Sequence, residues 1–99
     1  MHYQFEWDPE KAKINKAKHK ISFEIAATVF LDPNALTIFD KEHSNEEDRW
    51  VTMGINSSGI LIVVCHTFVE EKKNYCLVRL FSARKATKNE SNYFRGLEK

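Results

Sequence analysis

Long hydrophobic runs are missing from this sequence of 99 residues. The longest extends only from Ile60 to Cys65, whereas a transmembrane helix needs about 20 apolar residues. The first ten residues, MHYQFEWDPE, contain no apolar signal-peptide core. Cysteine is also scarce: Cys65 and Cys76 lie in apolar stretches, outside any metal-ligand spacing. We therefore expect a cytoplasmic protein with two buried thiols, no disulfide framework, no metal site and no cofactor.

The sequence also lacks an excess of charge of one sign. Fifteen Lys and Arg residues against fourteen Asp and Glu residues give a net charge of +1, which does not by itself indicate a nucleic-acid or membrane partner. Three Gly, two Pro and a hydrophobic content of 42% are ordinary for a globular protein. We expect a single domain over residues 1–99, in which any basic site arises from local clustering.

A short strand and a helix are predicted at the start of the chain. The aromatic segment HYQFEW is followed by Asp8-Pro9, which supplies an N-cap and a first-turn proline for a helix over about Pro9–Lys18. Lys11, Asn15 and Lys18 are spaced by four and three residues, so they are predicted to share one basic face of that helix.

Two further helices are predicted from capping residues. Ser22 can cap a helix whose buried stripe is formed by Phe23, Ala26, Ala27 and Phe30. Near the C-terminus, Thr87 and Glu90 have the spacing of a capping box, which would begin a third helix. The residues of that helix expected to dock on the sheet are Tyr93, Phe94 and Leu97.

Between these helices the hydrophobic period changes to two, which predicts strands. The segments are Ala35–Phe39, Arg49–Ile55, Ile60–Val69 and Asn74–Ala83, with a turn predicted at Glu70–Lys73. The last two segments are apolar on both faces and are therefore expected at the centre of the sheet. The pattern predicts an α+β fold with an antiparallel meander, two N-terminal helices and one C-terminal helix.

Arg79 interrupts an apolar row in the last predicted strand. Strict alternation places it on one face with Tyr75, Leu77 and Phe81, and places Cys76, Val78, Leu80 and Ser82 on the other. One interpretation is structural: a buried ion pair with Glu46, Glu47 or Asp48, or an arginine that faces the edge of the sheet. The other is an anion site, because Arg84 and Lys85 follow just before a helix N-terminus, which also attracts anions.

Proton transfer has two histidine candidates. His66 lies in a predicted central strand and His19 follows the first helix; histidine exchanges protons near neutral pH. Both also have structural interpretations, as a core histidine and as a helix C-terminal residue respectively. Clustered cations together with proton-transfer groups are sufficient to direct an RNA 2′-hydroxyl onto its adjacent phosphate, because the substrate supplies the nucleophile.

Three separated segments carry a family resemblance. FEWDPEKAKINKAKHKISFEIAATVFLDP, EEDRWVTMG and RLFSARKATKNESNYF occur in this order, and together they resemble the BrnT toxins of bacterial type II toxin–antitoxin systems. The resemblance implies a RelE-like α+β fold and a ribonuclease that arrests translation. It also implies a BrnA-type antitoxin partner with a ribbon-helix-helix DNA-binding domain, so that DNA is contacted only through the antitoxin.

The family pattern falls, among other positions, on Lys11, Lys18, His19, Arg49, Arg79 and Arg84 of this chain, and to these we add Lys85, His66 and Glu46 as candidate site residues. Arg79 and Arg84 would hold the scissile phosphate, and positive charge for RNA binding would come from Lys11, Lys18, Arg49 and Lys85. Proton transfer would fall to His19, His66 or Glu46. This chain has Phe81 where isoleucine is more usual, a difference expected to change packing and not chemistry. The competing hypothesis is a non-catalytic protein whose basic cleft binds an acidic segment of a partner.

Overall fold

A computed structural model describes residues 2–97, except for the side chain of Leu97, so the predicted docking of Leu97 lies outside the described residues. In chain order, its elements are β1 (His2–Glu6), α1 (Pro9–His19), α2 (Phe23–Ala27), β2 (Leu36–Phe39), β3 (Trp50–Ile55), β4 (Leu61–His66), β5 (Val69–Lys72), β6 (Tyr75–Lys85) and α3 (Lys88–Leu97). Short 3₁₀ turns follow α2 and β2. Within this part of the chain, no helix is both long and apolar enough to cross a membrane.

Capping side chains define where the first two helices begin. The Asp8 carboxylate accepts a hydrogen bond from the Glu10 amide at 2.8 Å, and Pro9 occupies the first turn of α1. The Ser22 hydroxyl accepts from the Ile25 amide at 3.2 Å at the start of α2. The α2 helix is shorter than its apolar stripe suggested, because the chain tightens into a 3₁₀ turn from Thr28.

The six strands form one mixed sheet. Its order is β1-β6-β4-β3-β2, and β5 pairs separately with the first part of β6. Strand β1 runs parallel to β6, whereas the other pairs are antiparallel. The prediction of a pure meander was therefore wrong, and part of the predicted turn at residues 70–73 is strand β5. The reason is the length of β6, since its first half exposes backbone groups on both edges, which β1 and β5 satisfy.

Apolar side chains form a core cluster on each face of the sheet. The larger cluster includes Phe23, Ala26 and Val29 from the helical segments, packed on Ile62, Val64, Val78 and Leu80 of the central strands. The smaller one joins Met53 and Val63 to Phe94 of α3. Strand β4 thus buries side chains on both faces, as expected from its continuous apolar sequence. The buried residues that β6 contributes to these clusters all belong to the larger one, so the expectation of burial on both faces was wrong for β6.

A β-bulge in β6 changes which face each later side chain occupies. Cys65 pairs with Ser82 and His66 pairs with Leu80, so Phe81 is an extra residue without a partner on β4. Beyond it the buried residue is Ala83, and Ser82 is only half-buried. The strict alternation predicted for this strand is therefore wrong after Leu80.

Helix α1 is fastened to the free edge of β6 by a buried amide. The Asn15 side chain accepts a hydrogen bond from the Ala83 amide at 3.0 Å and donates to the carbonyls of Ala83 and Ile21 at 2.9 and 3.1 Å. The Asn15 amide thereby makes the two hydrogen bonds to the Ala83 backbone that a neighbouring strand would otherwise make. Asn15 is buried, so the exposed basic face of α1 contains Lys11 and Lys18 but not Asn15.

Candidate functional site

The aromatic ring of Phe81 contacts cationic side chains from two different segments. The guanidinium carbon of Arg49, which precedes β3, lies 4.2 Å from the ring centroid. The ammonium nitrogen of Lys11, on α1, lies 5.2 Å from the same centroid. Both distances are within the range of cation–π attraction. The bulge matters here because it adds this residue to β6 as an extra, unpaired position.

The Phe81 side chain contributes to the wall of a hollow of about 300 Å³. Its walls come from Glu6, Trp7, Asp8, Lys11, Arg79, Leu80 and Phe81. The side chain of Arg79 is 53% exposed, and its guanidinium nitrogens lie 2.9 and 3.0 Å from the Glu6 carboxylate. The predicted alternative of a buried ion pair with residues 46–48 was wrong, because the parallel register places Glu6 directly opposite Arg79.

The Arg79–Glu6 pair is open to solvent, with 40% of the Glu6 side chain exposed. Exposed ion pairs contribute only about 0–1 kcal/mol, since water solvates both partners well. An incoming anion can therefore replace Glu6 at little cost in stability. This arrangement makes Arg79 available for anion binding.

A second hollow, of about 210 Å³, also includes Phe81 in its wall, together with Lys11, Lys18 and His19. A third, of about 300 Å³, joins Arg49 to the loop that contains Glu46. Within residues 2–97, neither Lys11, Lys18 nor Arg49 forms an ion pair. We call Lys11, Lys18, His19, Arg49, Arg79 and Phe81 the Phe81 surface. This surface contains most of the predicted site residues, and Glu46 lines the hollow next to Arg49.

Arg84 lines none of these three hollows and is paired with Glu90. Its two terminal nitrogens lie 2.7 and 2.9 Å from the two Glu90 oxygens, in a bidentate pair. Arg79 and Arg84 are five positions apart on one strand, or roughly 15 Å between backbone positions. In this structure the two arginines are bound by carboxylates of different elements, β1 and α3. Lys85 is exposed at the end of β6, beyond Arg84.

Glu90 has two structural contacts at the start of α3. It forms the predicted capping box, accepting from the Thr87 amide at 2.8 Å, while the Thr87 hydroxyl accepts from the Glu90 amide at 3.1 Å. The hydrogen bonds from Arg84, assisted by those from Thr87, lower the pKa of Glu90 from 4.5 to about 2 against the opposing effect of burial. The same contact raises the pKa of Arg84. Glu90 is therefore ionised at neutral pH.

His66 is fully buried, and both of its ring nitrogens are hydrogen-bonded. Its Nδ1 lies 2.8 Å from the Thr67 carbonyl, to which it must donate, so Nε2 accepts from the Thr52 hydroxyl at 2.7 Å. The Phe30 ring packs edge-on at 4.9 Å between centroids. Burial lowers the pKa of His66, so the imidazole is neutral at pH 7. This environment is that of a core histidine with no access to a large substrate.

Sequence reasoning missed the central position of Phe81 and the contact between Glu6 and Arg79. Hydrophobic periodicity contains no signal for a bulge, and the pairing of Glu6 depends on the long-range parallel register of β1. The one available signal was the unusual phenylalanine itself. The expectation that it would affect packing alone did not anticipate its contacts with Arg49 and Lys11.

Within residues 2–97, no three His, Cys, Asp or Glu side chains are grouped closely enough to hold a metal ion.

Comparison with known proteins shows the family of this chain. The family model for BrnT, the ribonuclease toxin of a type II toxin–antitoxin system, matches residues 7–90. The chain therefore belongs to the BrnT family of ribonuclease toxins.

One solved structure supports the fold. The crystal structure of the Brucella abortus ribonuclease toxin BrnT superposes with a TM-score of 0.61 at 21% sequence identity, covering 89% of this chain and all of the Brucella chain. No curated protein matches the sequence significantly. The α+β fold is thus shared with a known BrnT structure despite low sequence identity.

Proposed function

We propose that this chain is a metal-independent endoribonuclease that arrests translation in the cytoplasm and is neutralised by a BrnA-type antitoxin. The observation that supports this proposal is the Phe81 surface, where cations from α1, β6 and the segment before β3 meet. An RNA backbone needs such a surface, because phosphate contacts provide most of the affinity for a single strand.

The proposed reaction uses the RNA 2′-hydroxyl as the nucleophile. A base removes its proton, the 2′-oxygen bonds to the adjacent phosphorus, and the bond to the 5′-oxygen breaks as an acid protonates that leaving oxygen. The products are a 2′,3′-cyclic phosphate and a 5′-hydroxyl. Cations that contact the phosphate oxygens stabilise the additional negative charge of the transition state.

Arg79 is the proposed phosphate-binding group, because it is exposed and paired only with a solvated carboxylate. Lys11, Lys18 and Arg49 would add positive charge around it. His19 and Glu46 are the proposed proton-transfer groups, since both are next to cations of the surface. His66 has no part in the proposed reaction on account of its burial. Arg84 would have to leave Glu90 before it could bind RNA, so we assign it to the scaffold.

The direct test uses purified protein and a defined RNA in the presence of a chelator. We expect cleavage, with 2′,3′-cyclic phosphate ends, and growth arrest on induction that is relieved when the antitoxin is co-expressed. Loss of cleavage with chelator and recovery with a divalent metal would contradict the mechanism.

Arg79→Lys tests the assigned residue. Lysine keeps the charge but loses the planar group that binds two phosphate oxygens, so cleavage should fall while the melting temperature changes little. Lys13→Arg, at an exposed position on α1 that lines none of the three hollows described above, is the matched control and should cleave normally. Normal cleavage by Arg79→Lys would remove Arg79 from the site.

One observation favours the alternative of a non-catalytic interaction protein. The cleft at Arg79 already binds a carboxylate, that of Glu6. In that case the wild-type protein would bind the antitoxin, whose ribbon-helix-helix domain would contact DNA. It would leave RNA intact under every condition tested.

A further inference from the structure

Phe81 has an unusual position for an apolar residue of a central strand. It is the inserted residue of the bulge, its ring is half-buried, and it contributes to both hollows that contain the cations of α1. Bulges are over-represented beside functional sites, where they redirect a side chain. The ring therefore lies where the two hollows meet the Phe81 side chain, and it belongs to neither core cluster.

Arg49 depends on this ring for its position. Its backbone is fixed, because its amide donates to the Ser44 hydroxyl at 3.0 Å and its carbonyl accepts from the Asp40 amide at 2.8 Å. Its long side chain, by contrast, forms no ion pair within residues 2–97. The contact that orients the guanidinium is its stacking on Phe81 at 4.2 Å.

Lys11 approaches the same ring from α1 at 5.2 Å and also lines the hollow that contains Arg79. Two like charges near each other repel, so bringing Lys11 and Arg49 to one place requires an attractive group between them. The negative face of an aromatic ring supplies that attraction without neutralising either charge. A carboxylate in the same position would instead pair with the cations and compete with an RNA phosphate.

We propose that Phe81 is a positioning residue that gathers Arg49 and Lys11 into one cationic surface with Arg79, and so sets the affinity for RNA phosphates. This inference rests on the proposed function. Phe81 itself has no role in proton transfer. Its loss would leave both cations in the chain, but with their side chains free to move in solvent.

The test compares Phe81→Leu, which keeps an apolar side chain without a ring, with Phe81→Tyr, which keeps the ring. Binding of a fluorescent single-stranded RNA with 2′-O-methyl groups, which cannot be cleaved, is measured over a range of salt concentrations. Phe81→Leu should bind about three- to tenfold more weakly, the scale expected when a cation–π interaction is removed. Its salt slope should fall by about 0.7 for each phosphate that the variant no longer binds. Phe81→Tyr should bind like the wild type.

A double variant separates positioning from general packing. Arg49→Met should weaken RNA binding in the wild-type background, but it should have little further effect in Phe81→Leu, because the arginine is no longer held. A full effect of Arg49→Met in both backgrounds, or an unchanged salt slope in Phe81→Leu, would overturn the inference. Melting temperatures of all variants show whether any weaker binding comes from unfolding.

A measurement without RNA distinguishes failure of this inference from failure of the proposed function. Stacking on Phe81 should shift the Arg49 side-chain proton resonances upfield through the ring current, and Phe81→Leu should abolish that shift. If the wild type binds RNA but shows no such shift, positioning by Phe81 is refuted while the proposed function stands. If the shift is present but the wild type neither binds nor cleaves RNA, the proposed function fails and the inference built on it is overturned as well.

Discussion

The Glu90 carboxylate is predicted to connect stability to pH through its contacts with Arg84 and Thr87. If the carboxylate were fully shielded from water, a fall in its pKa from 4.5 to about 2 would contribute about 3 kcal/mol to the free energy of unfolding at neutral pH. The side chain is 31% exposed, however, so solvent screening reduces the contribution to about 1–2 kcal/mol. Glu90→Gln keeps the oxygen needed for the capping box and removes the charge. We expect its melting temperature at pH 7 to be lower by roughly 5–15 °C.

The direction of the pH effect follows from the lowered pKa. A carboxylate with a depressed pKa stabilises the fold above about pH 4.5, and this stabilisation is lost as the pH falls toward 2. The difference in melting temperature between wild type and Glu90→Gln should therefore be largest at pH 7 and should decrease steadily as the pH falls from 4.5 to 2. Glu6→Gln, which removes the exposed partner of Arg79, is the control and should change stability by less than about 1 kcal/mol.

Thermal unfolding followed by circular dichroism at pH 7, 4.5, 3 and 2.5 is the required assay. Equal melting temperatures for wild type and Glu90→Gln at pH 7, or a difference that does not decrease on acidification, would refute the argument. RNA cleavage by Glu90→Gln should stay close to that of the wild type. A decrease of about 10²-fold or more in a folded variant would instead identify Glu90 as an acid or base of the reaction.

Three further substitutions test the scaffold. Asn15→Ala should cost about 2–4 kcal/mol of unfolding free energy, because it leaves three buried backbone groups without partners, whereas the exposed Lys13→Ala should cost less than about 0.5 kcal/mol. Gly54→Ala should lower the free energy of unfolding, measured by chemical denaturation, by about 1–3 kcal/mol, because its Cβ would lie 2.6 Å from a valine methyl group. A Cβ at Gly96 would meet no atom within 4 Å, so the control Gly96→Ala should stabilise α3. Below pH 6.5 the wild type should lose stability, because the unfolded chain binds a proton at His66 that the buried imidazole does not bind. His66→Gln removes this group, so the variant should lose less stability over the same pH range.

Local signals predicted much of the secondary structure. Asp8-Pro9 at the start of α1, Ser22 at the start of α2 and the Thr87–Glu90 capping box are short-range patterns that act through hydrogen bonds within four residues, so the sequence contains all of their partners. The continuous apolar sequences of β4 and β6 likewise predicted central strands, and both strands lie between β1 and β3 in the sheet. The family resemblance predicted a ribonuclease toxin from motifs spread along the chain, and the family match agrees with it.

Long-range pairing was decided only by the tertiary structure. The parallel register of β1 on β6 selected Glu6 as the partner of Arg79, although three acidic residues near position 47 were equally plausible from the sequence. The bulge left Phe81 without a partner on β4, near Arg49 and Lys11, and shifted every later side chain on the strand to the opposite face. Hydrophobic periodicity predicts which residues prefer burial, but the partner of each exposed charge depends on which distant backbone segments lie side by side.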